Sequence, residues 1–223
     1  MIEFLTFFWR ILPDLLAGLQ VTLELWGISV VFGFLGGLLL ALARVYGAKP
    51  IYYLATGWIE FIRGTPLLVQ LFIIYYGLAD VGILFRPFVA ASIALIINTS
   101  SYQAEYIRGA IQSIQSGQRV AAESIGMNKI QMIRFIILPQ ALRIVIPPCS
   151  NEWVVMLKFT SLAFLVTVQE MMTKGEIIAN RTFEFLKVYG ILAIIYLIVV
   201  LFFTYSLDFL ERKLEVPGLG TRG

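Results

Sequence analysis

Apolar runs long enough to cross a bilayer alternate with short polar stretches along this chain, and that alternation predicts its elements. Residues 16–43, 58–79, 88–111, 147–168 and 188–209 read as five transmembrane helices. Residues 1–14 read as an interfacial helix, because the run carries Glu3 and Arg10, is too short to span, and is set off by Pro13. The first span has Gly27, Gly33, Gly36 and Gly37 as small surfaces for close helix contact. Arg63-Gly64-Thr65-Pro66 interrupts the second, as a simple kink or as a break whose freed backbone groups border a cavity. Pro147-Pro148 suits the first turn of the fourth. The predicted fold class is therefore an all-α integral membrane protein with one transmembrane domain.

Between the third and fourth spans lies a moderately polar segment, residues 112–143. Within it Ala121, Ala122 and Ile125 are three and four positions apart and so share a helical face, while Glu123 points elsewhere. Gly126 allows the left-handed turn that ends a helix, and residues 127–138 form a second helix stopped before Pro139. The product is an elbow, and pattern alone favours an ordinary amphipathic loop, so its meaning depends on the rest of the chain.

Composition narrows the class. With 59% hydrophobic and 14% charged residues in 223, and a mean hydropathy of +0.86, the chain is too apolar for a soluble domain. There is no histidine and the single cysteine is Cys149, which excludes a His-dependent triad, a His- or Cys-rich metal site and an intrachain disulfide. No Gly-Lys dipeptide occurs, so the phosphate-binding loop G-x-x-x-x-G-K-[ST] is absent. Any ATP hydrolysis must come from another subunit.

Charge sets the predicted orientation. Arg10, Arg86, Lys174, Arg181 and Lys187 fall on one side and Lys158 within the fourth span; the other eleven of the 17 basic residues lie on the elbow's side. The positive-inside bias then places the elbow and the C-terminus in the cytoplasm and the N-terminus outside. The Gly-rich tail after Lys213 reads as disordered.

The polar residues inside the spans are the candidate chemistry. Asn98, Ser101, Tyr102 and Glu105 stand at i, i+3, i+4 and i+7 and make one polar face, with Asn98 roughly 15 Å from the span's start, near the midplane. Asn98 suits a helix–helix hydrogen bond or a substrate contact, while Glu105 and Arg108, one turn apart, can pair locally. In the fourth span Asn151, Glu152, Lys158, Thr160 and Ser161 are polar, and each buried charge costs about 2.5–3.5 kcal/mol on an insertion scale. Glu152 and Lys158 are six residues apart, off a common face, so Glu152 needs another partner, such as Arg143, a helix end or a cationic substrate. Gln20 and Glu24 read as interfacial.

These residues carry a family resemblance. Residues 119–139 resemble the EAA loop of permease subunits in binding-protein-dependent ABC importers, with Ala121-Ala122-Glu123, Gly126 three residues on, and Ile137-Leu138-Pro139 at the end. Here the glutamate follows the alanine pair and none precedes it. Three further stretches resemble the polar amino acid subfamily: Arg63-Gly64-Thr65-Pro66-Leu67-Leu68-Val69-Gln70, Ala104-Glu105-Tyr106-Ile107-Arg108-Gly109, and Lys158-Phe159-Thr160-Ser161-Leu162.

The resemblance runs over nearly the whole chain. It implies the type I importer permease fold in a bacterial cytoplasmic membrane, surrounded by membrane lipid. It also implies a second permease subunit, a homodimer being favoured, a pair of ATPase subunits, and a periplasmic or lipid-anchored amino acid binding protein. ATP and Mg would be bound by the ATPase, with no cofactor, metal site or catalytic residue in this chain and no nucleic-acid partner. Ala121, Ala122, Glu123, Ser124 and Gly126 would form the coupling contact. Glu152, Asn98, Ser101, Thr65 and Tyr102 are the candidate substrate residues. An unpaired Glu152 favours a basic amino acid, arginine ahead of lysine or histidine because a guanidinium binds a carboxylate bidentately; glutamine or glutamate is the alternative.

Other classes leave different signatures. A membrane-embedded enzyme would use Glu24, Glu105 and Glu152, but no two carboxylates share a helix face at catalytic spacing. A channel would need neither ATP nor an elbow, and an exporter or lipid flippase would need no external binding protein.

Overall fold

Long apolar runs with few breakers become long helices, and the computed structural model, which describes residues 2–114 and 116–214, is helical almost throughout with no strand among those residues. The predicted disordered tail lies outside the described residues. Helix α1 runs from Ile2 to Tyr46 without interruption. The separate interfacial helix of residues 1–14 is therefore corrected. Pro13 sits on an exposed face, where the loss of one N–H leaves the flanking turns intact. At 45 residues α1 is about 68 Å long, more than twice the hydrocarbon thickness of a bilayer.

Only Gly47 and Ala48 separate α1 from α2, Lys49–Arg63, which starts with Pro50 in its first turn. Helix α3, Leu67–Asp80, follows and is bent by 104° from α2. The expected single stretch over 58–79 is thus two helices, the first beginning at Lys49, and Gly64-Thr65-Pro66 is a break rather than a kink. Pro66 supplies no N–H and holds an extended backbone there.

Helix α4, Pro87–Ser113, runs through the middle of the bundle, with Asn98, Thr99, Ser100, Ser101 and Gln103 all buried. Its closest approach is to α1. A methyl added at Gly33 would stand 2.0 Å from Thr99 Cγ2, and one at Gly37 would stand 2.9 Å from both Gln103 Cβ and the Ser100 carbonyl oxygen. Gly36 also faces Ser100, whereas Gly27 meets nothing within 4 Å and does not serve the close contact expected of it.

The elbow helix α5, Ser116–Ser124, leads into α6, Lys129–Val166. Two sequence expectations fail in α6. Pro139 does not stop a helix, because the turn before it widens into a π-helical turn over Ile133–Ile137 that absorbs the missing donor. Pro147-Pro148 lie inside the helix rather than at the start of a span at residue 147, with Pro147 on an exposed face. The last turns of α6, Thr160–Val166, tighten to 3-10 geometry. Helices α7, Met171–Thr182, and α8, Phe185–Leu214, complete the chain.

By length and composition Glu3–Tyr46, Lys129–Val166 and Phe185–Lys213 can each cross a membrane, and the bent α2–α3 pair makes a fourth span if counted as one. The polar residues of α4 lower its mean hydropathy below theirs, and it runs through the centre of the same bundle. Three apolar clusters stack along the bundle: one around Ile107, Ile137 and Val145 near the elbow, one around Leu25, Leu95 and Met156, and one around Leu15, Met171 and Ile191.

The third cluster is tied by a buried glutamate. Glu170 caps α7, its carboxylate accepting from the backbone N–H groups of Thr173 (2.7 Å) and Met172 (2.9 Å) and from the hydroxyl of Tyr196 on α8 (3.1 Å). Thr22 on α1 donates weakly to the same carboxylate and accepts from the Met171 N–H at 3.1 Å. Three helices meet at one carboxylate.

Candidate substrate path and coupling elbow

The break between α2 and α3 leaves carbonyls without helical partners, and one side chain gathers them. The Gln70 amide donates to the Ile62 carbonyl at 2.7 Å, the Thr65 carbonyl at 3.0 Å and the Thr65 hydroxyl at 2.9 Å. Its own carbonyl oxygen accepts from the Asn98 amide at 3.1 Å. Gln70 and Asn98 are both buried, so the break is held open by a satisfied network and fixed to α4. Asn98 and Thr65 are thus brought together through a residue not among the candidate site residues.

Arg63, at the end of α2, connects the rest. Its guanidinium lies 5.3 Å from the centre of the Tyr102 ring and 3.8 Å from the Glu105 carboxylate. Glu105 is also paired with Arg44 and, at 2.9 Å, with Arg108, which gives the local pair expected from the sequence and adds two arginines from other helices. Arg44 in turn reaches Glu60 at 3.3 Å. Three guanidiniums against two carboxylates leave the cluster positive.

Glu152 on α6 is 8% exposed, beside the Tyr106 hydroxyl and within reach of the Arg63 charge. It makes no ion pair with Arg143 or with any other side chain among the described residues. Ser101 stands apart from the others: it is fully buried and donates to the Ile97 carbonyl of its own helix at 3.1 Å. The polar spine therefore runs Asn98–Gln70–Thr65 and Tyr102–Arg63–Glu105, with Tyr106 and Glu152 alongside. Gln70, Arg63 and Tyr106 stand inside the motifs quoted above, which was the only signal for them.

The elbow is specified locally. Gly126 adopts φ +79°, and the chain closes the helix with Gly126 N–H to the Glu123 carbonyl at 2.9 Å and Met127 N–H to the Ala122 carbonyl at 3.1 Å. Two residues later Asn128 and Gln131 cap the next helix reciprocally, each bond 2.9 Å. Ala121, Glu123, Ser124 and Ile125 are exposed, Ile125 at 73%, and Val120 beside them at 62%. Ala122 is 3% exposed and packs into the bundle's core, so the face expected for Ala121, Ala122 and Ile125 together is corrected: Ala122 turns inward and Glu123 joins the outer surface.

A helical bundle with a span broken beside buried polar groups and a helical elbow at one end defines a permease subunit of the ABC importer type. Residues 33–216 match the family described as the binding-protein-dependent transport system inner membrane component, and the chain belongs to that family. It is the permease subunit of an amino acid ABC importer, integral to the membrane, and its family works with a separate ATPase and a substrate-binding protein.

Among its relatives, the glutamine transport system permease protein GlnP of Escherichia coli K12 is 36% identical over 210 residues, 93% of this chain and 96% of that protein. The probable amino-acid ABC transporter permease protein PatM of Vibrio harveyi is 40% identical, covering 92% and 94%. The L-cystine transport system permease protein TcyL of Bacillus subtilis is 38% identical, covering 91% and 88%. A crystal structure of an amino acid ABC transporter with histidines superposes with a TM-score of 0.87 at 39% identity, over 94% of this chain and 98% of that one. The inward-facing MetNI methionine transporter shares the fold, with a TM-score of 0.78 at 19% identity.

Proposed function

We propose that this subunit imports a basic amino acid, with arginine preferred, by alternating access between states that bind the substrate differently. The observation that carries the reading is Glu152: a buried carboxylate with no ion pair among the described residues keeps acceptor capacity for a cationic side chain. Tyr102 and the backbone at the Thr65 break would meet the substrate's α-amino and α-carboxylate groups, and Asn98 would hold that backbone through Gln70. Ser101 would pack rather than bind. The neighbour crystallised with histidines supports a basic substrate.

The subunit would pair with a second copy of itself, with the N-terminus outside and the elbow and C-terminus in the cytoplasm. Ala121, Glu123, Ser124 and Ile125 would rest on the ATPase, with Gly126 and Ala122 fixing the elbow's angle to the bundle. ATP and Mg would stay with the ATPase.

A second reading is glutamine. Two specific features favour it: GlnP and a probable glutamine permease of Bacillus subtilis are relatives, and Tyr106 and Arg63 already stand beside Glu152. Uptake of labelled arginine and glutamine into proteoliposomes holding the permease, the ATPase and the binding protein separates the two. With Glu152→Gln, arginine uptake is expected to fall by about tenfold or more, since a hydrogen bond to a charged group contributes roughly 1.5–3 kcal/mol. Unchanged arginine uptake would remove the basic-substrate reading, and native uptake of glutamine alone would put glutamine in its place.

A further inference from the structure

Of the three guanidiniums around Glu105, that of Arg63 is the most loosely held. Arg44 reaches both Glu105 and Glu60. Arg108 donates to both oxygens of Glu105, the shortest bond at 2.9 Å, and to the Gln112 side chain at 2.6 Å. Arg63 makes no hydrogen bond among the described residues: its approach to Glu105, at 3.8 Å, is beyond hydrogen-bond distance, and Glu105 is already engaged by the other two. Its N–H donors are therefore open, and its side chain is 34% exposed.

Arg63 ends α2 at the break and stands midway along the bent α2–α3 pair, where an open charge turned toward lipid would be costly. The Gln70 amide ties the backbone on both sides of Arg63 through the Ile62 and Thr65 carbonyls. From α4 the half-buried Tyr102 ring, its centre 5.3 Å away, supports the guanidinium. Glu152 lies within reach of the same charge. A guanidinium held by its backbone and one ring, with its donors open and the surplus charge of its cluster behind it, calls for an anion. Its planar fork fits a carboxylate through two parallel bonds.

We propose that Arg63 binds the α-carboxylate of the transported amino acid through its guanidinium fork. The amino acid would then lie with its carboxylate at Arg63 and its side chain toward Glu152, and the backbone carbonyls of the break would be left to the α-ammonium. This inference rests on the amino acid path proposed above but not on which side chain travels it, because arginine and glutamine carry the same α-carboxylate.

The test is direct binding of labelled arginine and of labelled glutamine to the purified permease–ATPase complex, without the binding protein, with the α-amide of each as competitor. Whichever amino acid binds the wild type, its α-amide is expected to bind about tenfold or more weakly. Arg63→Gln is expected to weaken the amino acid by about tenfold and leave the α-amide no weaker, so that the discrimination disappears. Arg63→Lys, which keeps the charge and loses the fork, should fall between the two. Each comparison is made within one protein, so a general disturbance of the fold, followed by the unfolding midpoint, would weaken acid and amide alike. Equal loss of both, unchanged discrimination in Arg63→Gln, or no saturable binding of either amino acid to the wild type overturns the assignment. The choice between arginine and glutamine reads Glu152 instead, so the basic-substrate reading can fail while the role of Arg63 stands.

Discussion

Ala121→Arg is expected to lower ATP-driven amino acid uptake by more than about tenfold while leaving the subunit folded. Ala121 is on the outer surface of the elbow between Val120 and Ile125, and its small side chain lets another protein approach the helix backbone. A long cation there would both obstruct that approach and place an unpaired charge in the contact. A loss of about 1.4 kcal/mol of contact energy already corresponds to a factor of ten. Exposed substitutions usually change folding stability by less than about 0.5 kcal/mol, so the unfolding midpoint of the isolated permease should stay close to the wild type. Uptake and ATP hydrolysis in the reconstituted complex, beside the unfolding curve, check the result. Ala122→Arg provides the contrast: at 3% exposure it would force a charge into the core near the elbow and lower stability itself.

The second large effect concerns the other end of the bundle. Glu170→Ala is expected to destabilise the subunit by about 3 kcal/mol, from loss of a helix cap and from the Tyr196 hydroxyl left without its acceptor, while Thr22 keeps the Gly18 carbonyl. Because α1, α7 and α8 all meet at this carboxylate and in the apolar cluster around Leu15, the loss should loosen all three. Thermal unfolding in detergent measures the shift, and protease accessibility near Thr182 should rise with it. Tyr196→Phe removes one of the donors alone and is expected to cost about 1 kcal/mol.

The helical class and the elbow were legible because they rest on local rules. Apolar runs set the helices, and Gly126 with its Schellman bonds and Asn128 and Gln131 with their capping box fix the elbow within a few residues. Local rules misled where a distant neighbour changes the outcome. Pro139, Pro147 and Pro148 look like helix ends in an isolated peptide, yet the helix runs through all three, with a widened turn ahead of Pro139.

Periodicity put Ala121, Ala122 and Ile125 on a common face but could not say that the bundle would lie against Ala122. Asn98 was visible as a polar residue near a midplane, but its partner Gln70 is 28 residues away and on a helix bent away from its predecessor. Glu170 gave no signal at all, since glutamate is not among the favoured capping residues and its hydroxyl partners come from positions 22 and 196.

We propose that the elbow is the contact through which a separate ATPase drives the bundle. Ser124 is exposed on it and donates only to the Val120 carbonyl of its own helix, and the native Cys149 is buried, so Ser124→Cys adds a single reactive thiol. A short thiol crosslinker applied to the assembled complex is expected to join that position to the ATPase, with a yield that changes on adding ATP. A fully assembled, transport-competent complex that gives no crosslink from Ser124→Cys to the ATPase in either nucleotide state would contradict it.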